Sequence, residues 1–188
     1  MPKLILGFAG MPGAGKGTAV KYIQEKYGAS TYRFSTVLSD MVKRIYQPMN
    51  RENLIKMSEA LRHYFGEDIL AYVVEKDVTG DAAETVVIDG VRRFQDLAAL
   101  EPLPYFKLIA ITASPELRFQ RLKARGERAN EKDMTWEQFQ AEEQAPTEVT
   151  IPPVMQRAAV TIDNSGDVAS LEKQLVDMMR EFGVEPKV

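Results

Sequence analysis

The sequence predicts an α/β fold in three layers, in which helices cover both faces of a mostly parallel five-stranded sheet. Short apolar runs alternate with stretches of helical periodicity along most of the 188 residues. A glycine-rich turn joins the first apolar run directly to the first helical stretch. Such alternation produces parallel strands joined by right-handed crossovers, which place helices on both sides of the sheet. The length is typical of a single domain, so we expect one domain over 1–188.

The predicted strands and helices follow one another in the order that this fold requires. The predicted strands are apolar or β-prone runs that cover 4–9, 31–34, 85–89, 106–112 and 159–163. The predicted helices, several of which end at glycine or proline, cover 15–26, 39–46, 51–65, 69–79, 94–100, 115–125 and 168–182. Between 127 and 153 the chain is polar and charged. We expect an insertion there, with one short helix capped by Thr135, rather than a second core.

The composition narrows the class of protein. Hydrophobic residues make up 45% of the chain, which is enough for a packed core, and the formal net charge is −3. A protein that coats DNA or RNA needs a basic surface, so a nucleic-acid polymer is not the expected partner. Cysteine is absent, which excludes disulfides, and no apolar run is long enough to span a membrane. We therefore expect a cytoplasmic protein without a signal peptide, either a monomer or a small homo-oligomer.

The turn after the first predicted strand carries a phosphate-binding motif. Residues 10–18 read Gly-Met-Pro-Gly-Ala-Gly-Lys-Gly-Thr and fit G-x-x-x-x-G-K, with a glycine after the lysine and the hydroxyl at Thr18. Glycines let successive backbone N–H groups point at a polyphosphate, and the following helix adds its positive dipole end. We expect Lys16 to reach the outer phosphates, and Thr18, or Gly17 with a water, to serve Mg²⁺. The predicted nucleotide-binding residues are Gly10, Gly13, Ala14, Gly15, Lys16, Gly17 and Thr18.

A carboxylate, Asp89, stands at the end of the third predicted strand. Open α/β sheets bind ligands at the carboxyl ends of their strands, so we expect Asp89 to hold Mg²⁺ or its waters. The alternative is an acid that only caps the turn into the next helix. Arg92 follows three residues later and is predicted to clamp a second phosphate with its planar guanidinium. For the adjacent Arg93, a phosphate contact and a surface ion pair are equally supported.

A group of arginines precedes and enters the polar insertion. Arg118, Arg121 and Arg125 share one helical face, and Arg128 follows just beyond. Phosphoryl transfer spreads negative charge over the moving group, and arginines that close over it stabilise that charge. We therefore predict that Arg121 and Arg125 are catalytic, although a solvated charged face is the alternative. Trp136 is expected either to stack on a base or to anchor the insertion.

These residues resemble those of the P-loop nucleoside monophosphate kinases. The loop at 10–18 is very similar to the phosphate loop of adenylate kinase, including the glycine after the lysine. Phe34-Ser35-Thr36, followed by Asp40-Met41, resembles that family's Ser-Thr-Gly-Asp-Met stretch with two extra residues, and 88–92 resembles Asp-Gly-Phe-Pro-Arg with one residue fewer. The likeness covers almost the whole chain in topology. Similar loops occur in dephospho-CoA kinase, deoxynucleotide kinases, phosphomevalonate kinase and archaeal-type nucleotide kinases.

The resemblance implies a P-loop NTPase fold and an ATP-dependent phosphotransferase that uses Mg²⁺. Its acceptor would be a small phosphorylated molecule, namely a nucleoside or deoxynucleoside monophosphate. The likeness also implies an acceptor-binding helical region at about 35–80 and a lid at about 118–153. The acceptor-side residues that it implies are Ser35, Thr36, Arg92 and either Lys43 or Arg44, and Asn164 would contact the donor base.

Other functions stay open at this point. The acceptor can be another small metabolite, as in dephospho-CoA kinase, or the protein can be a regulatory ATPase that uses hydrolysis to change conformation. A partner-binding scaffold with an inactive nucleotide site is disfavoured, because Lys16 and Asp89 are both intact. Release of ADP that depends on an added acceptor separates the kinases from the other two classes.

Overall fold

The computed structural model describes residues 2–126 and 131–187, and its centre is a five-stranded parallel sheet. The strands are β1 (Leu4–Ala9), β2 (Ser30–Arg33), β3 (Thr85–Asp89), β4 (Phe106–Thr112) and β5 (Val160–Asp163). Their order across the sheet is β2-β3-β1-β4-β5, and all four pairings are parallel. The predicted three-layer α/β fold is confirmed.

Nine helices are found among the described residues. They are α1 (Lys16–Tyr27), α2 (Phe34–Arg44), α3 (Arg51–Phe65), α4 (Ile69–Thr79), α5 (Phe94–Leu100), α6 (Pro115–Arg125), α7 (Trp136–Glu143), α8 (Ile151–Met155) and α9 (Val168–Glu181). In the part of the chain that the structure describes, none of them is long and apolar enough to cross a lipid bilayer.

The core has two layers because the side chains of β1 alternate between the faces of the sheet. Leu4, Leu6 and Phe8 face α1 and α9, whereas Ile5 and Ala9 face α4, α5 and α8. Since β1 is covered on both faces, all six of its residues are buried, as expected for the centre of a parallel sheet. This burial fixes the end of β1, and with it the origin of the phosphate loop.

Two elements differ from the sequence prediction. The second strand ends at Arg33 and α2 begins at once with Phe34, whereas we expected a strand through 34 and a helix from 39. Leu38 and Val42, four residues apart, are buried on one face of the longer helix, and this packing extends it. Helix α8 was not expected. Its two prolines lie in the first turn, where the missing N–H groups have no helical partner to lose.

The polar insertion packs against α6 through a small apolar cluster. Met134 and Phe139 are buried against Leu122 of α6, and Trp136 and Phe119 pack against them. Trp136 stacks on Phe139 with 5.2 Å between ring centroids, so of its two predicted roles the structure shows the anchor. The expected Thr135 cap of α7 is present as a full capping box with Gln138.

This cluster predicts that α7 depends on Phe139 for its attachment to α6. Replacing Phe139 with Ala removes a side chain that is 2% exposed, and losses of this kind cost about 3 kcal/mol. We expect hydrogen exchange in α7 to become at least tenfold faster, while exchange in β1 and β3 stays unchanged. The matched control is Gln140→Ala on the exposed side of the same helix. Equal acceleration in both variants would contradict a local core.

Candidate active site

A cavity of about 1360 Å³ opens at the carboxyl ends of β1, β2 and β3. Parallel sheets bind their ligands at this edge. Among the described residues, its lining contains eight cationic side chains and only two acidic ones, Asp89 and Asp96. The cationic residues are Lys16, Lys21, Arg33, Arg62, Arg92, Arg93, Arg121 and Arg125. The excess of positive charge makes the cavity a site for a strongly anionic ligand.

The phosphate loop forms one wall of this cavity. Gly13 and Gly15 have φ values of +79° and +99°, which side chains other than glycine rarely adopt. Helix α1 starts at Lys16 without a side-chain cap, so its first N–H groups remain available to an anion. A Cβ atom on Gly17 would meet no protein atom within 4 Å, so this glycine leaves open space beside the loop. The loop therefore has the shape that a polyphosphate requires.

The side-chain amide of Asn164 is hydrogen-bonded to the backbone of the phosphate loop. Asn164 follows β5, is 5% exposed, and donates a hydrogen bond from Nδ2 to the carbonyl oxygen of Ala14 at 2.8 Å. A Cβ atom on Gly15 would lie only 2.0 Å from that nitrogen. The side chain of Asn164, which was expected to contact a donor base, is hydrogen-bonded to the loop and does not line the cavity.

Lys16 is held inside the loop through hydrogen bonds to backbone carbonyls. Its Nζ donates to the oxygens of Gly10 at 2.6 Å and Met11 at 3.2 Å. Burial, and after it the positive charge of Arg92, lower the pKa of Lys16 to about 8, against the opposing effect of Asp89. A phosphate that enters the loop would provide this ammonium group with an anionic partner, which the neutral carbonyl oxygens do not provide.

Asp89 and Thr18 both line the cavity and supply oxygen atoms of the kind that Mg²⁺ binds. Arg33 Nε forms an ion pair with Oδ2 of Asp89 at 2.8 Å, which leaves the other carboxylate oxygen for a ligand. No group of three or more histidine, cysteine, aspartate or glutamate side chains that could enclose a metal occurs among the described residues. Mg²⁺ commonly binds through one or two protein oxygens plus phosphates and waters, so Thr18 and Asp89 fit it.

Glutamates neutralise several arginines around the cavity. The pairs are Arg92 with Glu148 at 2.9 Å, Arg93 with Glu67 at 2.6 Å, Arg125 with Glu131 at 2.6 Å, and Arg118 with Glu143. Glu131 and Glu148 are 1% and 7% exposed, so these two carboxylates depend on their arginine partners. Arg118 is buried, donates to the carbonyl oxygen of Ala113, and does not line the cavity.

Buried polar atoms without partners collect at the same cavity. Four such side-chain atoms are known in the described parts of the chain: Asp96 Oδ1, Arg121 Nη1, Glu148 Oε2 and Thr150 Oγ1. Three of these residues line the cavity, and the fourth, Glu148, is paired with the cavity residue Arg92. Arg121 makes one long hydrogen bond of 3.4 Å to the carbonyl oxygen of Gly166. Buried polar groups usually have partners, so atoms of a ligand or of ordered water in the cavity would supply them.

The far wall of the cavity comes from α2, α3, α4 and α5. Ser35 lines it as expected, together with Phe34, Leu38, Ser58 and Leu70. Two residues of the lining, Arg33 and Arg62, were not expected from the sequence. Arg33 is brought there by the pairing of β2 with β3, which places it opposite Asp89. Nothing in the spacing of α3 indicated that Arg62 faces the site.

Some expected residues do not line the cavity. Thr36 and Arg44, with Lys43, are exposed and lie outside its lining. Helix α2 begins at Phe34, so Thr36 turns away after Ser35, and Arg44 lies about 15 Å from Phe34 along the helix axis. Gly10 and Ala14 contribute carbonyl oxygens within the loop rather than cavity surface. Arg128 lies outside the described residues.

Comparisons with known proteins agree with this geometry. A family model described as an AAA domain matches residues 9–140. A UPF0200 protein of Hyperthermus butylicus is 31% identical over 137 residues, which cover 73% of this chain and 72% of the relative. A UPF0200 protein of Thermococcus kodakarensis is 30% identical over 182 residues, which cover 93% of this chain and 97% of the relative.

Solved structures show the same fold at low identity. Shikimate kinase from Bacteroides thetaiotaomicron matches with a TM-score of 0.66 and 14% identity, over 96% of this chain and 99% of that one. TT1252 from Thermus thermophilus matches with a TM-score of 0.61 and 17% identity, over 96% and 98% of the two chains. The chain therefore has a P-loop kinase-like fold and belongs to the AAA domain family and to the UPF0200 proteins.

Proposed function

We propose that this protein is an ATP- and Mg²⁺-dependent phosphotransferase whose acceptor is a small phosphorylated molecule, a nucleoside or deoxynucleoside monophosphate. One observation carries the proposal. The cavity combines the phosphate loop with a second set of cationic side chains, Arg62, Arg92 and Arg93, from α3 and the turn before α5. An ATPase needs one anion-binding region, whereas a kinase with a phosphorylated acceptor needs two.

The donor side uses the loop and its surroundings. The loop N–H groups and Lys16 bind the phosphates of ATP, and Lys16 leaves the carbonyls of Gly10 and Met11 to do so. Thr18 and Asp89 hold Mg²⁺, which neutralises charge on the phosphates when it is bound. Arg33 keeps the carboxylate of Asp89 oriented.

The acceptor side positions a phosphate as the nucleophile. Arg92 binds it through its planar guanidinium, and Arg62 and Arg93 add positive charge. A phosphate oxygen is already anionic at neutral pH, so the reaction needs alignment and charge stabilisation rather than a strong base. The absence of histidine from the cavity lining among the described residues is consistent with this chemistry.

Residues 118–153 act as a lid in this proposal, over a single domain whose acceptor region is 35–80. Arg121 and Arg125 project from α6 into the cavity, and Pro146, Thr147 and Thr150 line it from the insertion. Closure would bring the two arginines to the transferring phosphoryl group and exclude water. Arg121 is suited to this task because one of its buried nitrogens has no partner.

The test is an assay of ADP release with Mg²⁺ and a panel of acceptors. The panel contains each nucleoside and deoxynucleoside monophosphate, dephospho-CoA and shikimate, the last because shikimate kinases share the fold. We expect at least one monophosphate to stimulate ADP release over the acceptor-free rate. Stimulation only by dephospho-CoA or shikimate would show that the acceptor is that molecule and not a nucleoside monophosphate. Slow turnover that no acceptor changes would favour a regulatory ATPase.

The lowered pKa of Lys16 predicts how ATP affinity depends on pH. Lys16 loses its proton as pH rises through about 8, and only the ammonium form attracts phosphates. We expect the Kd for ATP, measured by calorimetry without acceptor, to rise by up to about tenfold per pH unit above 8. Lys16→Arg removes this dependence because a guanidinium stays charged, and Lys16→Met binds weakly at every pH. A Kd for the unmodified protein that is flat from pH 7 to 10 would contradict the role of Lys16.

Arg92 is predicted to act on the acceptor rather than on ATP. Arg92→Lys keeps the charge that pairs with buried Glu148 but loses the two-pronged contact with a phosphate. We expect the KM for the acceptor to rise about tenfold or more, with the KM for ATP within twofold. The control is Arg157→Lys, whose exposed ion pair with Glu101 lies outside the cavity lining. A larger change for ATP would move Arg92 to the donor side.

A further inference from the structure

Asp96 is a buried carboxyl group that the proposed reaction does not use. It lies in the first turn of α5, lines the cavity, and is 4% exposed. Its Oδ1 atom is buried and has no hydrogen-bond partner. An unpaired buried carboxylate oxygen is costly, so a group of this kind at a ligand cavity calls for a donor from the ligand.

The neighbouring arginines do not supply that donor. Arg62 donates to Ser58 Oγ at 3.2 Å and to the carbonyl oxygen of Glu67 at 2.9 Å. Arg93 donates to the Glu67 carboxylate at 2.6 Å, and Arg92 pairs with Glu148. Burial raises the pKa of Asp96, although the charges of Arg62 and Arg93 and a backbone hydrogen bond from Arg93 act to lower it.

The surroundings of Asp96 combine apolar and polar surface. Phe34, Leu38 and Leu70 line the same cavity and offer contact to a flat or apolar group, and Ser58 adds a hydroxyl. A second phosphate would be repelled by the carboxylate of Asp96. The group that meets Asp96 must therefore be a neutral or cationic donor on the non-phosphate part of the ligand.

We infer that Asp96 is a specificity-determining residue that accepts a hydrogen bond from an N–H or O–H group of the phosphate acceptor. The inference rests on the proposed function and names a feature of its substrate. The donor is either an amino group on the base or a hydroxyl on the sugar. Acceptors that carry the donor satisfy Oδ1, and acceptors that lack it leave the carboxylate buried and unpaired.

An ordinary structural role accounts for only part of this arrangement. Asp96 is near the N-terminus of α5, where the backbone N–H of Arg93 and the helix dipole favour a negative charge. That role does not provide a partner for the buried Oδ1 atom. It also predicts that every acceptor would suffer equally when the charge of Asp96 is removed.

The experiment compares acceptors that differ by one donor. CMP and UMP differ at the base amino group, GMP and IMP differ likewise, and CMP and dCMP differ by the sugar 2′-hydroxyl. We expect the unmodified protein to favour the donor-bearing member of at least one pair by about tenfold to a hundredfold in kcat/KM. Asp96→Leu, which removes both acceptor oxygens at a similar volume, should reduce that ratio to below about threefold, with the KM for ATP unchanged. The pair that responds identifies the donor as base or sugar.

The matched control is Glu101→Gln, which removes a carboxylate just after the same helix but outside the cavity lining and should keep the ratio. Equal loss for both members of every pair in Asp96→Leu, or no discrimination by the unmodified protein, would overturn the inference. Calorimetric Kd values for the same nucleotides without ATP separate the two proposals. Discrimination in binding without any turnover supports the role of Asp96 and overturns the kinase. Turnover without discrimination supports the kinase and overturns the role of Asp96. If neither binding nor turnover is observed, both proposals are overturned.

Discussion

The repulsion among cationic side chains around one cavity is the constraint on which the rest of this structure depends. Residues 131–148 offset part of it, because Glu131, Glu143 and Glu148 pair with arginines from α6 and the β3–α5 turn. Removal of either member of such a buried pair leaves an uncompensated charge. The insertion is thus attached to α6 and to the β3–α5 turn by charge, and to α6 also by the apolar cluster of Phe139. A phosphate that enters the cavity competes with these glutamates for the same guanidinium groups, so ligand binding and the attachment of the insertion are linked.

The sequence was sufficient for the fold wherever a local pattern and its burial agree. The apolar runs became the strands of the sheet within a residue at each end, and Ser114 with Pro115 starts α6 as predicted. The features that local patterns did not indicate depend on contacts that are distant in sequence. Helix α2 is extended by packing of Leu38 and Val42, and the apolar cluster of the insertion forms only because α6 presents Leu122 to it. Neither contact is visible from local composition.

The residues of the candidate site also fall into two groups, those that a local pattern indicated and those that depend on distant packing. The loop motif and the strand-end rule indicated Lys16, Asp89 and Arg92, and all three line the cavity. Arg62 and Asp96 were missed because each looks like an ordinary charge on a helix until α3 and α5 are packed beside the loop. Sequence spacing defines which face of a helix a residue occupies, but it does not define what that face meets. The acceptor side of the cavity is built almost entirely from faces of this kind.

The contact between Gly15 and Asn164 has a consequence for how this loop can evolve. The amide of Asn164 occupies the volume that a side chain at Gly15 would need, and Gly15 has a φ value that side chains other than glycine rarely adopt. A larger residue at 15 is therefore blocked twice, and shortening Asn164 relieves only one of the two blocks. The positions are 149 residues apart in the chain yet cannot drift independently. Neutral substitutions in this loop must therefore occur at its flanking residues. The residue that follows β5 and the phosphate loop thus constrain each other's evolution.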